Sequence, residues 1–249
     1  MNNTTVRNLK RLMLSFGENQ VLTASYLLKQ GYSYDNLKGY VRSGYLDSLG
    51  RGAYCRAGSQ PTAEAAITAM SEQMNVPVHL GGRSALAKRG YVHFVPFNEL
   101  PATVFIDLGV RIPAWFGRYY SGRFLMRKTG FIKVNTGIEN DAGCPVSSPE
   151  RAILEFLLDV PARQQLNEAY QILEMMMTLR PRLIEELLSA CSSVKVKRLF
   201  FLLADDLNPP WWGRVRKDGI DLGAGCRVID KDGSFNSKYN LVVKPWREI

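Results

Sequence analysis

The chain has 249 residues, four cysteines, and nine more basic than acidic residues. This length suits two domains better than one. The cysteines are widely spaced and form no CxxC pair, which argues against a zinc ribbon or a disulfide framework and favours a reducing cytoplasm. No apolar run approaches the roughly 20 residues that span a bilayer, and the amphipathic start is not a signal peptide. We therefore expect a soluble cytoplasmic protein that does not act at a membrane.

Basic charge is concentrated in two blocks of the chain. Residues 1–58 carry eight Lys and Arg against three Asp and Glu, and residues 83–133 carry nine against two. Such blocks are typical of proteins that contact a polyanion, for example nucleic acid. A soluble surface with unevenly placed charge has the same composition, so charge alone leaves both interpretations open.

The first 58 residues predict three helices and a hairpin. Threonine or serine caps each helix start, and glycine follows the second and third helix ends. The predicted helices run from Thr4 or Thr5 to about Phe16, from Thr23 to Gln30 and from Ser33 to about Ser43, and the hairpin covers 45–58 with Gly50-Arg51-Gly52 at its tip. This order predicts a winged helix-turn-helix DNA-binding domain over residues 1–58.

The third helix has two distinct faces. Leu37, Tyr40 and Val41 form its predicted inner side, whereas side chains at i, i+4 and i+8 form an outer stripe. A major groove about 12 Å wide admits such a helix, and backbone N–H groups at the start of the second helix suit a phosphate. The predicted DNA-binding residues are Thr23, Ser25, Ser33, Tyr34, Asn36, Lys38, Arg42 and Arg51. A winged helix used only for protein contacts is the alternative.

Residues 59–249 are predicted to form a larger mixed α/β domain. Together with the N-terminal winged helix-turn-helix, this predicts the α+β fold class for the whole chain. The basic, strand-rich part of the larger domain covers about 76–135, a helical part about 148–207, and a C-terminal hairpin about 219–246. Strands are predicted in VPVHLGG, YVHFVPF, TVFIDLG, GRFLMRK and GFIKVN. Helices are predicted from Pro61 to about Met74 and over 149–159, 163–178, 182–191 and 194–207, and hairpin strands around Asp230–Gly233.

Two basic segments of this larger domain are candidate interaction surfaces. Residues 116–133 hold five basic residues, no acid and several aromatics, a pattern that suits either stacking on bases or a strand pair with one buried aromatic face. The helix over 194–207 starts with cations and ends with acids, against its macrodipole, which suggests an anionic partner or pairing elsewhere in the protein. The candidate residues of these interaction surfaces are Arg118, Arg123, Arg127, Lys128, Lys195, Lys197 and Arg198.

Catalytic signatures are absent from the sequence. The two histidines, His79 and His93, lie in strand-like runs, and no HExxH, P-loop or G-x-S-x-G motif occurs. Asp230-Lys231-Asp232 precedes Gly233 and is better read as part of a turn. We therefore expect no enzyme activity, no metal and no cofactor. A nucleic-acid-processing enzyme guided by the winged helix is kept as an alternative hypothesis.

Several segments resemble the AbiE-type (abortive-infection) antitoxins of type IV toxin–antitoxin systems. The N-terminal likeness rests on Gly31-Tyr32-Ser33, on residues 40–46 and on the Gly50–Tyr54 step, and further likeness covers 147–161, 179–205 and 220–246. The resemblance implies a repressor that binds its own promoter. One such domain supplies only about five to six cationic contacts, so we expect two copies on repeated half-sites, as a dimer or as cooperative monomers on inverted repeats. It also implies neutralisation of a nucleotidyltransferase-like toxin, with or without a direct complex. A ligand-responsive winged-helix transcription factor with no toxin partner is the alternative.

Overall fold

The computed structural model describes residues 3–91, 101–128, 130–132 and 135–247, without the side chains of residues 3–6. The chain divides into two compact units. The first comprises Met1–Leu80, Leu100–Lys128 and Asn140–Pro145, and the second comprises Gly81–Glu99, Thr129–Glu139 and Val146–Ile249. The domain boundary after residue 58 stays a prediction. Within the described residues, no helix is both long enough and apolar enough to cross a membrane.

The N-terminal part of the first unit has the predicted order of elements. It consists of α1 (Asn3–Ser15), β1 (Leu22–Thr23), α2 (Ala24–Lys29), α3 (Tyr34–Arg42), β2 (Leu46–Gly50) and β3 (Ala53–Arg56). The strands form an antiparallel sheet in the order β1-β3-β2. Buried Leu12, Leu27, Leu37 and Tyr40 join the helices in one apolar cluster, whose burial stabilises this arrangement. The three predicted helices and the hairpin are confirmed.

A five-stranded sheet follows in the chain. Its elements are α4 (Ala63–Thr68), which continues as a π-helical turn (Ala69–Gln73), β4 (Val78–Leu80), α5 (Gly82–Lys88), β5 (Ala102–Ile106), α6 (Ala114–Tyr119), β6 (Phe124–Lys128), β7 (Ile138–Asp141) and β8 (Cys144–Ser147). The strand order is β6-β5-β4-β8-β7. β4 pairs antiparallel with β5, and β5 pairs parallel with β6.

The predicted strands of this region are confirmed only in part. VPVHLGG, TVFIDLG and GRFLMRK contain β4, β5 and β6. Residues 92–97 of YVHFVPF, His93 among them, lie outside the described residues. The described residues of GFIKVN contribute one bridge, between Ile132 and Cys191. The strand-pair reading of 116–133 is wrong at its start, because residues up to Tyr119 form α6 and bury Trp115 and Phe116. Strands β7 and β8 and helix α5 were not predicted.

The second unit contains the predicted helical region. Its helices are α7 (Pro149–Leu158), α8 (Leu166–Met175), α9 (Pro181–Ala190) and α10 (Val194–Leu207), followed by a 3-10 turn (Trp212–Arg214) and the strands β9 (Arg227–Val228), β10 (Ser234–Asn236) and β11 (Leu241–Val243). The Ser148 and Ser193 hydroxyls accept hydrogen bonds from backbone N–H groups in the first turns of α7 and α10. All four predicted helices are confirmed.

The C-terminal hairpin turns later than predicted. β10 and β11 pair antiparallel across residues 237–240, where Asn240 adopts the left-handed conformation with φ 48°. Asp230–Gly233 instead leads from β9 to β10, and β9 pairs parallel with β11. Strand β11 lies between β9 and β10 in the sheet, so the aspartate–glycine turn connects two strands that do not pair.

Candidate nucleic-acid interface

Helix α3 is held at its start by a capping box. The Ser33 hydroxyl accepts from the Asn36 N–H, and the Asn36 side-chain oxygen accepts from the Ser33 N–H, each at 3.1 Å. Asp35 lies in the first turn and Arg42 in the last, where both charges complement the macrodipole. The local sequence therefore specifies where the helix begins and favours it independently of its packing.

The outer face of α3 carries the predicted stripe. Tyr34 is 57% exposed, and Lys38 and Arg42 are also exposed, whereas Leu37 and Tyr40 are fully buried beneath them. Spacing of four residues places the three exposed side chains one above another along the helix. The predicted inner and outer faces are confirmed, and the stripe presents one phenol and two cations from a packed helix.

The other predicted DNA-binding residues have mixed placements. Ser25, Ser33 and Arg51 are exposed, and Arg51 lies in the turn between β2 and β3. Thr23 is 1% exposed and its hydroxyl caps α2, so its side chain is not part of an accessible surface. Asn36 is half-buried, and its amide oxygen is engaged by the cap. Bidentate contact with adenine needs both amide atoms, so the cap opposes the predicted base-reading role.

The hairpin beside α3 is packed at its base and carries no reactive thiol. Burial raises the pKa of Tyr54, and the neighbouring Tyr34 hydroxyl raises it further. Burial also raises the pKa of the Cys55 thiol to about 11, with a further contribution from Asp47. A thiol with this pKa stays protonated near neutral pH and is a poor nucleophile.

The basic segment after residue 113 is only partly on the surface. Arg118, Arg123 and Lys128 are exposed, whereas Arg127 is half-buried on β6. The Arg123 guanidinium lies 5.9 Å from the centre of the Tyr119 ring, within range of a cation–π interaction. Three of the four predicted side chains in this segment are therefore accessible to an anionic partner.

The predicted cationic surface at the start of α10 is wrong. Lys197 and Arg198 are buried, and the half-buried Lys195 ammonium donates to the carbonyls of Leu158 and Val160 at 2.7 and 2.6 Å. Those carbonyls lie at the C-terminal end of α7, where a cation is favoured by the helix dipole. The cations that oppose the dipole of α10 are thus buried or hydrogen-bonded within the second unit.

The acids at the other end of α10 also have partners within this unit. Burial raises the pKa of Asp205, but hydrogen bonds from Lys238, Tyr239 and Trp212 outweigh it and lower the pKa to about 2. Asp206 accepts from Arg247 and from the Trp246 indole. Neither end of α10 is therefore evidence for an external anionic ligand.

The described histidine is a core residue. His79 is buried and stacks on Phe105 with ring centres 5.5 Å apart. Among the described residues, no group of three or more His, Cys, Asp or Glu side chains is arranged to hold a metal ion. Among the predicted site residues, the exposed ones lie at the start of α2, at the start and on the outer face of α3, in the hairpin turn and in the segment from Arg118 to Lys128.

Replacing Ser33 with alanine should lower the free energy of unfolding by about 1 kcal/mol, because the capping hydroxyl of α3 is lost. Urea titration followed by circular dichroism measures the change. Ser43, at the other end of the same helix, is exposed, and Ser43→Ala should alter stability by less than about 0.5 kcal/mol. Equal stability of the two variants would show that the cap contributes nothing.

Comparisons with known proteins identify the kind of regulator to which this fold belongs. Residues 5–97 match a family model described as a transcriptional regulator, the N-terminal domain of the AbiEi antitoxin. Residues 101–244 match a model described as a transcriptional regulator, the AbiEi antitoxin of a type IV toxin–antitoxin system. The chain is a member of a transcriptional-regulator family. It belongs to the AbiEi antitoxins of type IV toxin–antitoxin systems, which confirms the resemblance found in the sequence.

A solved structure supports the fold assignment. The crystal structure of the RV2827C protein from Mycobacterium tuberculosis matches with a TM-score of 0.61 and 13% sequence identity, over 97% of this chain and 92% of that one. At this identity the likeness shows a shared fold. Comparison with curated protein sequences gave no match.

Proposed function

We propose that this antitoxin binds its own operator through an N-terminal winged helix-turn-helix and thereby represses transcription of its own operon. We further propose that residues 59–249 neutralise a nucleotidyltransferase-like toxin. Family membership supports both roles in general terms. The DNA-binding role rests chiefly on one observation, the exposed stripe of Tyr34, Lys38 and Arg42 above a buried helix face.

The geometry of α3 suits entry into a major groove. Its buried Leu37 and Tyr40 fix the helix against α1 and α2, so the outer side chains project from a supported element. Lys38 is placed mid-helix, where its ammonium group would reach base edges, and Arg42 lies one turn further along, nearer the phosphates. We therefore assign sequence preference chiefly to Tyr34 and Lys38, and backbone affinity to Arg42.

Phosphate contacts around the helix would orient it. Ser25 and Ser33 are exposed at helix starts, and Arg51 is exposed in the hairpin turn. Arg7 and Lys10 are exposed on α1 and add to the same charge. One such domain supplies only about five or six cationic contacts, so specific binding would use two copies on inverted repeats, as a dimer or as cooperative monomers.

The DNA-binding proposal is tested with the double substitution Lys38→Ala/Arg42→Ala in the full chain. Arg42 should release about one counterion and Lys38 should contribute about 1 kcal/mol of base contact, so the slope of log K against log salt should fall by about 1 and affinity for the upstream promoter duplex should fall roughly 30-fold at 0.15 M salt. Fluorescence anisotropy against salt concentration measures both quantities.

Arg163→Ala/Arg182→Ala is the matched control for this double variant. Both arginines are exposed and lie in the second compact unit, so the control removes the same charge away from α3. A control variant that loses as much affinity as Lys38→Ala/Arg42→Ala would reduce the effect to net charge and refute the assignment of α3.

The toxin-neutralising role is separable from repression in the same variants. The Lys38→Ala/Arg42→Ala chain should fail to repress a reporter behind its own promoter, yet still rescue growth when the neighbouring toxin gene is induced. This outcome is expected because α3 belongs to the N-terminal 58 residues, to which no neutralising role is assigned. Loss of both activities in a folded variant would contradict the division of labour.

A further inference from the structure

The basic segment after residue 113 lies against the hairpin that we assign to DNA. Within the first compact unit, α6 packs directly on β2. A Cβ atom placed on Gly50 would lie only 3.0 Å from the Trp115 Cβ, so the two backbones approach closely at the end of β2. Arg51, at the hairpin turn, follows Gly50 directly. Two regions far apart in sequence thus form one continuous part of the molecule.

Helix α6 is firmly seated in this position. Trp115, Phe116 and Tyr120 are buried, and the Tyr120 hydroxyl donates to the Pro61 carbonyl at 3.0 Å. Burial raises the pKa of Tyr120, and the neighbouring Tyr119 and Cys55 raise it further, whereas Arg123 lowers it. Side chains that project from α6 and from its C-terminal turn are therefore held by a packed support.

Two arginines project from this support into solvent. Arg118 lies on α6 and Arg123 just after it, and both are exposed. Within the described part of the chain neither forms an ion pair, and Arg123 is steadied by the Tyr119 ring. Lys128 lies at the far end of β6, opposite Ile106, and is more distant from α6 in the chain. In the segment after residue 113, Arg118 and Arg123 are thus the exposed cations that lie on α6 or nearest to it in the chain.

We propose that Arg118 and Arg123 form a second phosphate-binding patch, which contacts the DNA backbone flanking the site occupied by α3 and the hairpin. The inference rests on the proposed DNA-binding function. The planar guanidinium group matches phosphate oxygens with two parallel hydrogen bonds. The helix that supports the patch packs on β2, the strand that leads directly into Arg51. Duplex DNA is the polyanion that this surface would meet first once the hairpin lies on its backbone.

The test uses the full chain and two promoter duplexes. The short duplex ends at the boundaries of the repeats, and the long duplex extends them by about 10 base pairs on each side, one helical turn. Wild-type protein should bind the long duplex more tightly. Arg118→Ala/Arg123→Ala should lose roughly 30-fold of the affinity for the long duplex at 0.15 M salt, lower its salt slope by about 2, and bind the short duplex almost normally.

Three outcomes separate this inference from the proposed function. If wild-type protein binds neither duplex, the proposed DNA-binding function fails and the patch fails with it. If wild-type protein binds and Arg118→Ala/Arg123→Ala matches the control Arg163→Ala/Arg182→Ala on both duplexes, only the second patch is refuted. A variant that binds DNA normally but no longer rescues cells from the toxin would assign the patch to neutralisation and overturn the inference.

Discussion

Glu155→Ala should lower the free energy of unfolding by about 3–5 kcal/mol, one of the two largest effects expected for a single substitution in this chain. The side chain is 0% exposed and accepts hydrogen bonds from the Gly82 N–H, the Ser147 hydroxyl and the Arg151 guanidinium at 2.8–2.9 Å. Its removal leaves the buried Arg151 cation without its carboxylate and two further donors without an acceptor. Urea titration followed by circular dichroism measures the loss.

The network around Glu155 predicts how the loss can be reversed. Arg151→Met/Glu155→Leu replaces both charges with apolar side chains and should recover much of the stability, because an uncompensated charge is costlier than no charge. Glu186→Ala removes an exposed carboxylate from α9 and serves as the control, with an expected change within about 0.5 kcal/mol. A loss below about 1 kcal/mol for Glu155→Ala would show that the buried pair is not important for folding.

The N-terminal elements were predictable because their signals are local. Thr23 and Ser33 cap helices whose first turns follow them directly, and Gly50-Arg51-Gly52 turns a hairpin of short strands. Helix α10 was predicted over 194–207, and the structure shows the Ser193 hydroxyl as its local cap. In each case the residues that decide the structure lie within a few positions of one another.

The missed elements depend on partners far along the chain. The start of α5 bears glycines at 81 and 82, which suggest a turn, yet the Gly82 N–H is bound by Glu155 more than 70 residues later. The aromatic run before Tyr120 suggested a strand, but Trp115 and Phe116 face the same core from one helix. Local propensity is overridden where a distant side chain supplies the missing hydrogen bond or buried surface.

The candidate site was predictable on α3 and not on α10. The i, i+4, i+8 spacing placed Tyr34, Lys38 and Arg42 on one face, and periodicity is enough for that conclusion. At the start of α10, the charge pattern does not reveal that Lys195 and Arg198 meet backbone carbonyls from other segments. The proposed phosphate-binding role of Arg118 and Arg123 likewise depends on the contact between Gly50 and Trp115. No local sequence pattern predicts that contact.

Arg198→Met should destabilise the second compact unit by about 3–5 kcal/mol. The guanidinium is 2% exposed and donates four hydrogen bonds, at 2.6–3.1 Å, to the carbonyls of Leu222, Gly223, Gly225 and Asn240. Methionine fills part of the volume but leaves these carbonyls without their donor, and each hydrogen bond to a charged group contributes about 1.5–3 kcal/mol before non-additivity. Residues 222–240 should consequently exchange amide hydrogens faster.

Arg198→Lys distinguishes charge from geometry in this cluster. Lysine keeps the positive charge but cannot present a rigid fork to three or four carbonyls, so about half of the loss should remain. Arg182→Met, on the exposed face of α9, is the control and should leave both stability and exchange unchanged. Hydrogen exchange measured by mass spectrometry locates the effect. If Arg198→Met keeps wild-type protection from exchange across 222–240, this segment holds its conformation without the guanidinium. The burial of Arg198 would then reflect packing alone.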